Sequence, residues 1–322
     1  MNAILIPFFL AADVVVYNTS EWTFGPEYLY DLNISCILKP EPDGPVESYQ
    51  MITTVNCRPK MPDHLSCHFN NGTLLEFVEN NNTSEEWHMD EMFEIKFNER
   101  GVEGVIVEPN TDEEMVDVIR TFATQFNVAV DRSKIDMSHF MVREDSSMGN
   151  CATTYSVTHE KPETSTTGDF RLVVLPLVDA KSGTTLSIEK SRTECIDPPR
   201  HLEELNAILE MDRFVSKIQI EPNRFETFSE IDAKVTFYES ESESESESES
   251  ESESESESES ESESESESKS ESESEIQVWS TRILMDINLN SIEPAKNELP
   301  MLPYGKLIDL NTKYAVPNNM ID

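Results

Sequence analysis

Residues 92–126 run strand, turn, strand, helix, and no other stretch narrows the fold so far. Phe93, Ile95 and Phe97 alternate with Glu94 and Lys96, the period of a half-buried strand. Asn98-Glu99-Arg100-Gly101 makes a turn, and Val102, Val105, Ile106 and Val107 carry the chain back. Thr111 and Glu114 have the spacing of a capping box, in which a hydroxyl accepts an orphan backbone N–H and a carboxylate reaches back. Met115, Val118, Ile119, Phe122, Ala123 and Phe126 follow at helical spacing, so the segment Thr111–Asn127 reads as a helix with one apolar stripe. Asp117, Arg120, Thr121, Thr124 and Gln125 fall on its other side.

Most of the remaining chain reads as β. Tyr28, Tyr30, Leu32, Ile34 and Cys36 alternate strictly, as do Tyr49, Met51, Thr53 and Val55. Leu172–Leu177 is an apolar strand interrupted by Pro176. Leu186 and Ile188, then Ile218–Ile220, then Ala233–Phe237 continue the pattern, and Ile283, Met285, Ile287 and Leu289 share one face of a late strand. Leu202–Leu209 is read as a short helix. The 322 residues suffice for one large β domain or two ordinary ones, and only 9 glycines and 17 prolines argue against a collagenous or wholly disordered chain.

The wording of Met92-Phe93-Glu94-Ile95-Lys96-Phe97-Asn98-Glu99-Arg100-Gly101-Val102-Glu103, with the helix after it, closely resembles the N-terminal domain of vitellogenins, yolk precursors of the large lipid-transfer protein family. Trp22, Gly25 and the Tyr28-x-Tyr30 strand resemble the family's opening, and Leu299–Pro303 resembles the close of the region. The resemblance implies a mainly β fold: a large antiparallel β-barrel enclosing one amphipathic helix, with Met115, Val118, Ile119, Phe122 and Phe126 filling the barrel. The implied organisation is a signal peptide over 1–17, the barrel over 18–238, a disordered acidic Ser-Glu repeat over 239–275, and a final barrel strand with a C-terminal extension over 276–322. The family continues into a helical horseshoe and lipid-enclosing sheets. These have no counterpart here, so a truncated member is expected, with a barrel for receptor or partner binding rather than a complete lipid cavity.

Secretion is the expected destination. Ala3–Ala12 is an apolar run of the length of a signal-peptide core, too short to span a bilayer; a buried strand is the alternative. Asn18, Asn33, Asn71, Asn81 and Asn82 each have Ser or Thr two positions on, making them glycosylation acceptors, although Asn81 and Asn82 overlap. A hairpin centred on Pro62 sets Cys57 opposite Cys67, a pairing that rests on local spacing alone. By resemblance to the family, Cys151 pairs with Cys195. Cys36 is then left over, as a buried thiol or an intermolecular partner.

The formal net charge is −40, which disfavours nucleic acid and anionic membrane surfaces and favours cations and basic partners. From Glu239 to Glu275 the chain repeats Ser-Glu with one break at Lys269, and 18 Glu against one Lys give this tract −17. With no apolar face to offset chain ordering, the tract is expected to be disordered. It reads either as a solvated linker or as a phosphorylated acidic segment. Ser240, Ser242, Ser244 and Ser246 are candidates because each has Glu at the third following position. Phosphates there would bind Ca or Fe through hard oxygen ligands.

No catalytic constellation stands out, and the chain is expected not to be an enzyme and to need no cofactor. Ser187-x-x-Lys190 has a nucleophile's spacing but lies in a strand-like run. Cys57, His64, Cys67 and His68 sketch a zinc site, against which stands a disulfide with two surface imidazoles. No transmembrane segment is expected. By family, the partners are lipid and a receptor of the low-density-lipoprotein type.

Overall fold

In the computed structural model of the chain, the described residues are 2–7, 10–42, 44–78, 81–88, 90–128, 137–160, 169–174, 185–197, 207–238 and 277–310. They form seventeen strands, one α-helix and a short 3-10 turn at Thr19–Trp22. The strands are β1 (Asn2–Ile6), β2 (Leu10–Val14), β3 (Pro26–Glu41), β4 (Glu47–Lys60), β5 (His64–Phe69), β6 (Gly72–Val78), β7 (Asn81–Trp87), β8 (Met92–Asn98) and β9 (Gly101–Val107). After helix α1 (Glu113–Thr124) come β10 (His139–Ser146), β11 (Gly149–Glu160), β12 (Phe170–Val174), β13 (Thr185–Ile196), β14 (Ala207–Glu221), β15 (Arg224–Phe237), β16 (Gln277–Pro294) and β17 (Lys306–Asp309).

Fourteen strands make one antiparallel sheet in the order β10-β11-β13-β14-β15-β16-β3-β4-β5-β8-β9-β17, with β6 and β7 branching from β4. The order places β16 beside β3, so the sheet joins the two ends of the chain through a ladder from Val278↔Glu41 to Pro294↔Pro26. No ladder joins β10 to β17 among the described residues. Helix α1 nevertheless bridges the two edges: it packs on β10 at one, and its Arg120 donates to Asp309 O on β17 at the other. The sheet is therefore wrapped, and α1 lies inside the wrap.

The helix shows why the sheet curves. Phe122 meets the rings of Tyr30, Phe69 and Phe93, and Phe126 meets Tyr30 and Phe225. Those partners come from β3, β5, β8 and β15, strands spread around the sheet, so a single apolar stripe is contacted from several directions. Met115, Ile119, Phe122 and Phe126 are buried as expected, whereas Val118 is only partly covered.

Two local expectations, the helix cap and the helix at Leu202–Leu209, need correction. The helix is capped by Asp112, whose Oδ1 accepts from Glu114 N at 2.9 Å; Thr111 Oγ1 is buried without a partner among the described residues. Arg120, Thr124 and Gln125, on the side of the helix opposite its apolar stripe, are buried as well. Trp22 lies in the 3-10 turn that precedes β3. Ala207–Leu209, read as the end of a helix, begins β14 and pairs with Val235–Phe237; residues 202–206 of that segment lie outside the described residues. A helical reading there rested on propensity, which a long-range ladder overrides.

A second sheet, β1-β2-β12, holds the apolar N-terminal run. Leu5 and Leu10 are fully enclosed, and Tyr28 donates from its hydroxyl to Ile4 O at 2.5 Å. Removal of residues 1–17 as a leader would take β1 and β2 away and leave β12 without its neighbour.

Candidate functional site

The interior of the wrapped sheet divides into a filled half and an open half. In the filled half, the polar residues of α1 find partners on every side. Arg120 Nε donates to Asp309 O at 3.1 Å, tying the helix to the edge strand β17. Gln125 Nε2 donates to Ser229 Oγ at 3.1 Å, and Thr227 Oγ1 donates to Gln125 Oε1 at 3.4 Å. Beyond the last turn, Asn127 Oδ1 accepts from Val102 N at 3.1 Å. Gly101, one residue earlier, has φ +119°, and a Cβ there would collide with that same Asn127 oxygen, so this turn needs glycine.

A buried ionic cluster closes the filled half. Glu144 on β10 accepts from Arg192 Nε at 2.9 Å and from the hydroxyl of Tyr155, while Lys190 Nζ donates to Asn127 O. Burial opposes ionisation of Glu144, but Lys190 and Arg192 outweigh it and hold its carboxyl below the usual range. Burial pushes the Lys190 ammonium down to about 8, against the attraction of Glu144. Ser187 and Lys190, three apart on β13, point to opposite faces of the strand, so their spacing makes no nucleophile pair.

The open half lies along the outer ends of β3, β15 and β16. Residues of one strand face recur every second position. Phe225 on β15 stacks on Phe126, so Ile231, Ala233, Val235 and Phe237 face the same interior. The ladders place Ile231 beside Ile283, Ala233 beside Thr281, Val235 beside Trp279, and Phe237 beside Gln277. Leu38 on β3 pairs with both Thr281 and Glu47. Together these residues line a cavity of about 480 Å³, aliphatic at its floor and aromatic at its mouth. Glu47 supplies the charged side chain among the described lining residues. The cavity was not legible in the sequence because its wall is assembled from strands far apart in the chain. The late strand that contains Ile283 was the one signal pointing to it.

Both disulfides are present. Cys57 and Cys67 are direct Cα partners across β4 and β5, joined through the hairpin at Pro62. Cys151 is bonded to Cys195 across β11 and β13. With Cys57 and Cys67 bonded to each other, neither is a thiolate for zinc, and His64 and His68 instead contact Asp63 and Asp90. Cys36 is a partly buried free thiol beside Thr281 Oγ1, 3.9 Å away.

Of the glycosylation candidates, Asn18 and Asn71 are exposed, and Asn18 Oδ1 accepts from Ser20 N while its Nδ2 donates to Glu21. Asn33 is half-buried and accepts from Gln50 Nε2 at 3.0 Å. Asn81 and Asn82 sit in β7, opposite Val78 and Phe77. Ser240, Ser242, Ser244 and Ser246 lie outside the described residues. Among the described residues no helix is long and apolar enough to cross a membrane.

This arrangement, a wrapped antiparallel sheet with a helix inside it, also occurs in a solved structure. The chain is similar to lipovitellin in a solved structure concerned with lipid–protein interactions in that protein, at a TM-score of 0.53 and 10% identity. The match covers 91% of this chain and 28% of the lipovitellin chain, so what is shared is the fold of a part of that protein. No protein-family model and no curated protein matches the chain in sequence.

Proposed function

We propose that this chain is a secreted, vitellogenin-like protein of the lipid-transport and yolk nutrient-reservoir kind. Its wrapped sheet closes as a β-barrel and serves as a module for receptor or partner binding rather than as a complete lipid cavity. The observation that carries this reading is the enclosure of Phe122 and Phe126 by rings from four separated strands, in a fold similar to lipovitellin over nearly the whole chain. Two disulfides and exposed sequons at Asn18 and Asn71 suit an oxidising, glycosylating compartment. The partner is a receptor of the low-density-lipoprotein type. Export from a secretory cell, followed by capture on that receptor's ligand-binding repeats in the presence of calcium, tests the reading. A chain retained inside the cell, or one that ignores the repeats, overturns it.

A second reading has its own observation. Phe237 and Gln277 are paired across β15 and β16, so the Ser-Glu tract leaves and re-enters the sheet at one point. We infer that the tract, phosphorylated at Ser240 and its neighbours, binds Ca or Fe there. Intact mass before and after phosphatase tests this, and an unchanged mass rejects it.

A further inference from the structure

We propose that the open half of the interior binds a single-chain amphiphile with a cationic head, its tail against Ile231 and Ile283 and its head at Trp279. The inference stands on the cavity alone and holds whether or not the chain is a yolk-type carrier.

The cavity has the volume of a small-molecule site, for which roughly 300–1,000 Å³ is usual. Its depth is graded. The floor is Ile231 and Ile283, and the next row is Ala233, Thr281 and Leu38, with Glu47 at the flank. Trp279 and Phe237 form the last rows before the opening. An alkyl chain can therefore lie inward on aliphatic side chains while its polar end stays at the aromatic rows.

Charge selects the head. Glu47 is the charged side chain among the described lining residues, and no Lys or Arg is among them. An anionic head would be repelled. An ammonium at the mouth gains both the field of the Glu47 carboxylate and the faces of Trp279 and Phe237, the combination by which proteins hold quaternary ammonium groups.

The test is titration of the full chain with dodecyltrimethylammonium below its micelle concentration, followed by tryptophan fluorescence and calorimetry. One saturable site per chain is expected, at least tenfold tighter than dodecanoate and absent for tetramethylammonium, which lacks the tail. Ala233→Phe, which fills the cavity, should abolish that phase, and Glu47→Gln, at the flank, should weaken it three- to tenfold. Dodecanoate binding equally well overturns the proposal. So does a folded Ala233→Phe chain that binds as before, because the tract alone would then be collecting the cation. If Ala233→Phe does not fold, the comparison of ligands and the Glu47→Gln variant decide between the same outcomes. Loss of receptor capture leaves this result untouched.

Discussion

Gln125, which caps the C-terminus of α1, and Ser229 on β15 are hydrogen-bonded at 3.1 Å although 104 residues separate them, and both are closed to solvent. The bond fixes the rotation of α1 within the sheet, because the same amide accepts from Thr227 through its oxygen. Gln125→Leu should cost about 1–3 kcal/mol, since Ser229 and Thr227 are then left with unmet hydrogen-bonding capacity. Urea unfolding measures it. Adding Ser229→Ala and Thr227→Val should recover part of the loss; a triple variant no more stable than the single one contradicts this account.

The Glu144 cluster predicts an unusual pH profile. Lys190 has a folded pKa of about 8, below its unfolded value of 10.5. Between these values the unfolded chain holds more protons than the folded one, so this group makes stability rise with pH from about 8 to 10.5. Below pH 8 both states are charged and the cost of burial is constant. The folded pKa of Glu144 is likewise below its unfolded value, so stability again rises with pH: its contribution is lost as pH falls below 4.5, through its lowered folded value. Lys190→Met should flatten the alkaline rise with little loss of stability at pH 7, because Arg192 still pairs with Glu144. Glu144→Ala should cost about 3–5 kcal/mol, because it leaves two buried cations unpaired. Chemical denaturation at pH 7, 8 and 9.5, below the tyrosine range, reads both effects.

Tyr28 and Tyr30 point into the same interior yet differ in satisfaction. Tyr28 donates to Ile4 O, whereas the buried hydroxyl of Tyr30 has no partner among the described residues. Tyr30→Phe should be neutral or stabilising, and Tyr28→Phe should cost about 1 kcal/mol. The second cost depends on β1. In a chain expressed from Asn18 onward it should vanish, while overall stability falls with the loss of Leu5 and Leu10 from the core. Thermal unfolding of the five proteins (the parent, the two variants, and the shortened chain with and without Tyr28→Phe) tests both statements, and N-terminal sequencing of the protein isolated from cells or their medium shows which form exists.

The two disulfides should differ in weight. Cys151 and Cys195 are 44 residues apart in sequence, and Cys57 and Cys67 are 10 apart. Loop-closure entropy assigns about 4 kcal/mol to the longer span and about 3 kcal/mol to the shorter. Paired Cys→Ala substitution at each bridge, compared by guanidinium midpoint, should rank them in that order. A larger loss at Cys57–Cys67 would mean that packing of those two buried half-cystines outweighs loop length.

Alternation made most of the sheet legible. Tyr28 to Cys36, Tyr49 to Val55 and Ile283 to Leu289 each show one face in the sequence, and each face meets the interior. The stripe from Met115 to Phe126 was equally plain. What periodicity misses is a partner on the opposite side. Arg120, Thr124 and Gln125 look like a solvent face because they are polar, but a sheet that wraps can supply Asp309, Thr227 and Ser229 to meet them. The cap was misplaced by one residue because Thr111 and Asp112 are both good cap types. The apolar run Ala3–Ala12 has the same composition as an export signal or a buried hairpin, and only its pairing with Phe170–Val174 reveals the second arrangement.

The pairing of Phe237 with Gln277 has a consequence for how this gene can change. Replication slippage in a two-residue repeat adds or deletes copies readily, and here every such event falls between two residues already held side by side. By polymer statistics a doubling of the intervening length costs only about 0.6 kcal/mol. Allele length can therefore drift from individual to individual while the folded body is inherited unaltered, and electrophoretic size variants of this protein should unfold at the same temperature.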